Sequence, residues 1–166
     1  MAATLSTKLN VQLDAILQNL VGVANVQANL SRGQLTVLTS GTGANQADKV
    51  YSETKSAAAA YDVDLAGVLL DAYGVVITFA RVKAIVVIAD PNNVGNVIVG
   101  NAAANAFGAP FGAVTHTVNV RPGGVLAMLA PDVTAWPVTA ATADILRFAP
   151  SSGTVVFDFA IVGASV

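Results

Sequence analysis

Apolar residues change their period along this chain. In residues 1–30, Leu9, Leu13, Ile16, Leu20 and Val23 recur at spacings of 4, 3, 4 and 3. That spacing predicts a helix with one apolar stripe. Leu17 widens the stripe, Asp14, Gln18 and Asn19 lie off it, and Ser6 or Thr7 can cap the start. Three arrangements fit: an amphipathic helix lying on a domain, a short self-associating helix, and an extended arm. The last draws on Val21, Gly22, Val23 and Val26, which weaken a helix at its far end. Residues 31–60 read as a linker or tether, with a flexible loop predicted at Thr39–Gln46, which is small, polar and contains Gly41 and Gly43.

From about residue 48 the period becomes two. Lys49–Thr54 is a short candidate strand. Tyr61, Val63 and Leu65 alternate with Asp62, Asp64 and Ala66, which places the apolar set on one sheet face. Val75–Ala89 is the densest β-branched region and predicts one long kinked strand or two strands meeting near Arg81. Its second part, Ala84–Ala89, is apolar on both faces and is expected to be central and covered on both sides. Turns are predicted at Asp90–Asn93, Arg121–Gly124 and Pro150–Gly153. Between them fall strands at Val97–Val99, Val114–Val120, Val125–Leu129 and Ile145–Phe148, and a last strand with Val155, Phe157, Phe159 and Ile161 facing inward. About eight strands, with no helical spacer between them, predict an all-β fold, a β-sandwich or jelly roll. The expected organisation is an N-terminal arm or helix plus linker over residues 1–40 and a β-sandwich domain over 41–166.

Composition adds a constraint on the surface. Hydrophobic residues make up 54% and charged residues 11%, against about 25% charged in an ordinary soluble domain. So few charges cannot wet a large surface, so copies of the chain or other proteins are expected to cover much of it. An apolar run long enough to cross a membrane as a helix is absent, and so is the charged start of a secretory signal, so neither membrane nor signal peptide is expected. The net charge of −2 comes from eight basic and ten acidic residues spread along the chain. A nucleic-acid partner would need a basic stripe, and none is expected.

Groups able to do chemistry are few. Cysteine is absent, and there is one histidine and one glutamate. His116 sits in an alternating Val-Thr-His-Thr-Val context and reads as a half-buried strand residue rather than a metal ligand. Asp62 and Asp64 share a strand face, with Asp71 nearby. They could hold a cation or act as paired carboxylates, but the simpler expectation is a wetted face opposing Lys or Arg across the sheet. Arg81 and Lys83 flank Val82 and suggest a solvated edge or an inter-subunit ion pair, with Asp158 as the opposite charge and Arg147 as another partner for it. Gly41 and Gly43 lack the Gly-Lys-Ser/Thr that would complete a phosphate loop, and no Gly-x-Ser-x-Gly elbow supports a triad. Catalytic residues, cofactor and metal are therefore not expected.

Several phrases resemble a known group: Gly41-Thr42-Gly43-Ala44-Asn45-Gln46-Ala47-Asp48, Asp64-Leu65-Ala66-Gly67, Phe79-Ala80-Arg81-Val82-Lys83-Ala84, Arg121-Pro122-Gly123-Gly124-Val125-Leu126, Ala130-Pro131-Asp132 and Ile161-Val162-Gly163-Ala164-Ser165. From Thr42 to the C-terminus the chain resembles small structural proteins of tailed-bacteriophage virions. The resemblance implies a β-sandwich body that decorates (cements) the capsid. It would be an oligomer, a trimer ahead of a dimer, binding the major capsid protein or other virion proteins, often through an N-terminal arm. Leu9, Leu13, Ile16 and Leu20 are the residues expected to pack that arm. The alternative is a tail, baseplate or fibre component that binds a host glycan, for which Trp136, Phe107 and Tyr73 are the aromatic candidates.

Overall fold

The computed structural model describes residues 4–21, 24–67 and 69–166. The strands run in chain order as β1 (Thr7–Val21), β2 (Ala24–Ser40), β3 (Gln46–Ala47), β4 (Lys49–Ala57), β5 (Tyr61–Asp64), β6 (Leu69–Leu70), β7 (Val76–Ile77), β8 (Arg81–Ala89), β9 (Val97–Gly100), β10 (Thr117–Val120), β11 (Val125–Leu129), β12 (Trp136–Pro137), β13 (Ile145–Pro150) and β14 (Val155–Ala164). One 3-10 turn, Ala109–Phe111, is the only helical element among the described residues. The fold is all-β, as the alternation predicts. The strand count exceeds the expected eight or so because of two-residue pieces and the two strands of the N-terminal segment.

Two sheets form the body. One has the order β10-β9-β13-β5 and the other β11-β8-β14-β4, with β12 also pairing with β8. Successive strands repeatedly cross from one sheet to the other, so the two layers are laced together by the chain itself. Their inner faces carry the alternating apolar residues. Val63, Val97, Val99, Leu146 and Phe148 of the first sheet meet Ile85, Val87, Val155, Phe157, Phe159 and Ile161 of the second, all at most 3% exposed. Phe148 bridges the layers, its ring 5.1 Å from Phe157 and 4.6 Å from Phe159, within the range where offset aromatic contacts are favourable. Burial of each such side chain contributes about 1.5–3 kcal/mol.

The Val75–Ala89 region resolves into β7 and β8, the second of the two predicted arrangements. Strand β8 is central, between β11 and β14, but it is not covered on both faces: Ile88 is 46% exposed. The reason is that the outer side of this sheet carries no second layer beyond its end near Ala84. The strand predicted at Val114–Val120 begins only at Thr117, and His116 precedes it on an exposed turn, its Nδ1 3.0 Å from the carbonyl of Phe111. Its expected half-buried strand position is thus corrected.

A β-bulge sets the end of β8. Val162 pairs with Ala84, but Gly163 pairs with Val82, which leaves Lys83 as the extra residue. The bulge breaks the alternation. Val82 joins the inter-sheet core while Lys83 is turned away from it. A side chain at Gly163 has no room, since a Cβ would lie 2.2 Å from the carbonyl oxygen of Arg81 and 2.7 Å from the Phe79 ring. Gly163→Ala is expected to destabilise the body by about 1–3 kcal/mol through overpacking. Chemical denaturation followed by circular dichroism measures this, and an unchanged midpoint would show that the bulge tolerates a methyl group.

Candidate interaction surface

The N-terminal segment is a long antiparallel ribbon, not a helix. Strands β1 and β2 pair from Thr7↔Leu38 to Val21↔Ala24. At ~3.3 Å per residue the ribbon is roughly 45–50 Å long. Directly opposed residues share a face, so the register sorts the side chains. Leu9, Val11, Leu13, Ala15 and Leu17 lie on one face with Leu38, Leu30, Ala28 and Val26, interrupted by Thr36, Gln34, Arg32 and Asn19. The other face carries Lys8, Asn10, Gln12, Asp14 and Gln18 with Gln27, Asn29 and Ser31, interrupted by Ile16, Leu35 and Val37. The four predicted arm residues are therefore not one stripe. Leu9 and Leu13 share the apolar face, and Ile16 points to the opposite one. Leu20 pairs with Asn25 in the backbone register, while its side chain, like Val23, lies outside the described residues. The helical seam fails because Leu9, Val11, Leu13 and Ala15 also alternate with Lys8, Asn10, Gln12 and Asp14, an alternation broken only at Ile16, and the strand period is the one the chain adopts.

The ribbon's apolar face is bare beyond its base. Val11 is 53% exposed, Leu13 57% and Leu17 74%. Strand order leaves the outer edge of β1 without a neighbour among the described residues. An apolar face and a free edge of this length mark an interaction site in a native protein.

The base, in contrast, is built into the body. Leu38 and Ala47 pack on Ala84 and Val162 from the outer side of the larger sheet, flanked by Leu5 and Leu129. The loop predicted to be flexible is held by several bonds. The Thr39 amide donates to the Asn45 carbonyl at 2.9 Å, Gly41 to Ala47 at 3.2 Å, and Asn45 to Pro131 at 2.7 Å. The Gly43 amide donates to Gln46 Oε1 at 2.9 Å. The amides of Gly41 and Gly43 are thus engaged within the chain instead of forming a phosphate cradle. Residues 41–60 are no linker either, since β3 and β4 occupy most of them.

Lys83 ties this region together. It is fully buried, and its Nζ donates to the carbonyls of Gly43 at 2.6 Å and Asp132 at 2.8 Å. Burial, with Arg81 nearby, lowers its pKa from the ordinary lysine value. Arg81 donates to the carbonyls of Val166 and Val133, both at 2.6 Å. The pair therefore anchors loops, and buried Lys83 is no solvated edge; within the chain neither residue forms an ion pair with Asp158. Lys83→Met should cost about 1–3 kcal/mol by leaving buried carbonyls unpaired. Hydrogen exchange at residues 39–47 and 131–135 should accelerate together; protection as in the parent protein would contradict the anchoring role.

The carboxylates singled out in the sequence have structural partners. Asp62 receives a two-pronged bond from Arg147, 2.7 Å on each prong, directly across the β5–β13 pairing. The guanidinium holds its pKa below the ordinary carboxylate value. Asp64 accepts the Ala66 amide at 2.9 Å, and Asp71 accepts the amides of Tyr73 and Val75 at 2.8 and 2.9 Å. Among the described residues no three His, Asp or Glu side chains converge as metal ligands. Phe107 is 1% exposed and belongs to the core, so it offers no surface platform. Trp136 is half-buried against the core, and Tyr73 is 81% exposed.

A cluster missed in the sequence closes the open side of the sandwich. Glu53 accepts the hydroxyls of Tyr51 at 2.9 Å and Tyr61 at 2.6 Å, with Lys55 Nζ 3.4 Å away. The signal was the alternation Tyr51-x-Glu53-x-Lys55, which puts all three on one strand face. Burial works against ionising Glu53, but the two hydroxyls and Lys55 outweigh it, and its pKa is lowered. A depressed carboxylate contributes stability above the unfolded value of about 4.3, and that contribution is lost as pH falls through the folded value. Glu53→Gln should therefore flatten the fall of melting temperature as pH drops below about 4.3 while lowering it at pH 7; parallel curves for both proteins would argue against this linkage.

No family model, curated protein or solved structure matches the chain.

Proposed function

We propose that this protein is a non-enzymatic structural component of a tailed-bacteriophage virion, with capsid decoration as its placement and the major capsid protein or another virion protein as its partner. The observation that carries the reading is the bare apolar face of the β1–β2 ribbon, fixed at its base and projecting from a compact body. Such an arm suits a protein that reaches onto a neighbour and is held there by burial of Val11, Leu13, Leu17 and Leu30, at roughly 25 cal/mol per Å² of apolar surface. The virion placement is supported by the turn-and-strand phrases from Thr42 onward. The carboxylates considered for catalysis are engaged in turns and in the Asp62–Arg147 pair, which favours a structural role over an enzymatic one.

A tail or fibre role would use the same arm. Its glycan-binding form rests on Tyr73, since Phe107 is buried and Trp136 packs on the core.

The test separates arm from body. Removing residues 1–40 would also uncover Ala84 and Val162, so the better variant keeps the base and replaces residues 12–33 with an Asn-Gly turn between the paired Val11 and Gln34. It should remain folded by circular dichroism and lose attachment to phage particles in a co-sedimentation assay. Retained attachment would overturn the arm's role, and failure of the full chain to associate with any particle would overturn the virion reading.

A further inference from the structure

We infer that the ribbon's apolar face docks on the outer face of the β11-β8-β14-β4 sheet of a second copy of this chain. This deepens the structural reading above by naming one partner of the arm.

The register across the four strands defines the acceptor face. One row reads Val125–Ile88–Asp158–Thr54 and the next Ala127–Val86–Ala160–Ser52. The first row is open, with Val125 61% and Ile88 46% exposed; in the second, Ala127 and Ser52 are exposed and Val86 and Ala160 are partly covered. Small residues at Ala127, Ala160 and Ser52 leave a shallow depression of about 430 Å³ over Val86, Ala160 and Asp158. The third row, Leu129–Ala84–Val162–Val50, lies under the base of the chain's own ribbon, where Leu38 packs on Ala84 and Val162. Leu38 belongs to the ribbon's apolar face. The two surfaces therefore already pack on each other at one end within a single chain, and each continues bare past that contact in a different direction.

Charge and shape agree. Among the described residues of the ribbon's apolar face, Arg32 is the single charge, paired in register with Leu13. Its Nη1 donates to the Ser31 carbonyl at 2.8 Å, and it forms no ion pair among the described residues. On the three rows of the acceptor face Asp158 is the single charge, exposed and bonded to the Thr54 hydroxyl. One cation on one apolar face and one anion on the other form a complementary pair that fixes register on docking. The protruding Leu13, Leu17 and Leu30 match a floor of small side chains. Ribbon against ribbon would instead bring two apolar faces together with no acid on either to meet Arg32. Because donor and acceptor surfaces differ, the contact is either exchanged reciprocally in a two-fold pair or passed head to tail around a ring.

The experiment is sedimentation of the purified full chain and three variants: Arg32→Asp, Asp158→Arg and the double exchange. Both positions are exposed, and circular dichroism confirms that each variant is folded. The full chain should sediment as an oligomer, each single variant should shift its dissociation at least tenfold toward monomer, and the double exchange should recover most of that loss. A monomeric full chain would overturn the proposal. So would an oligomer indifferent to Asp158→Arg, which would place ribbon on ribbon, or a double exchange no better than its parts. These results concern the isolated protein, so they can fail while particle attachment persists, and the reverse.

Discussion

A two-stranded ribbon has two faces and no second layer. Whatever apolar residues it carries on one face must find cover outside the ribbon, because an isolated hairpin is marginally stable in water. In this protein that constraint governs everything N-terminal to Ser40. The ribbon keeps its form because its base is part of the body: Leu38 is 1% exposed, and Thr39 and Ser40 continue into pairing with β3. Beyond the base, the alternation that puts Val11, Leu13 and Leu17 on the side of half-buried Leu9 also leaves those three exposed. The fold settles the orientation of these side chains and leaves them exposed.

The bulge at Lys83 connects this arm to the sandwich. Without the extra residue, Lys83 would share the side of Ile85 and sit among the aromatic rings, where an ammonium has no partner and its desolvation is costly. With it, the ammonium meets the carbonyls of Gly43 and Asp132, and Ala84 presents a small surface to Leu38. Gly163 makes room for the shift on the opposing strand. One irregularity therefore protects the core and prepares the seat on which the ribbon stands.

The body was legible in the sequence and the arm only partly so. Strand β14 could be read residue by residue, since Val155, Phe157, Phe159 and Ile161 alternate with less apolar neighbours and all four are buried. Asp62 facing a basic residue across the sheet followed from the same logic. The arm was ambiguous because residues 9–20 satisfy two periods at once. Leu9, Leu13, Ile16 and Leu20 fit 3.5, while Leu9 to Leu17 fits 2, and only pairing with Ala24–Ser40 decides between them. That pairing is non-local information. Residues 31–40, assigned to a linker, form the greater part of the partner strand, which is why the two misreadings came together. Lys83 and His116 were misplaced for a related reason: a bulge and a strand start shift a side chain by one position, and alternation alone does not mark where they occur.

The scarcity of charge takes on a narrower meaning in the structure. Many of the charged groups have hydrogen-bond partners within the chain. Lys83 and Arg81 hold loop carbonyls, Asp71, Asp90 and Asp132 cap turns, Asp48 binds Ser165, and Arg147 engages Asp62. Among the described residues, the ribbon's apolar face and the three outer sheet rows carry one charge each, of opposite sign, Arg32 on the ribbon and Asp158 on the sheet. With charge so sparse, each of these two groups carries much of the specificity of whatever contact its face makes.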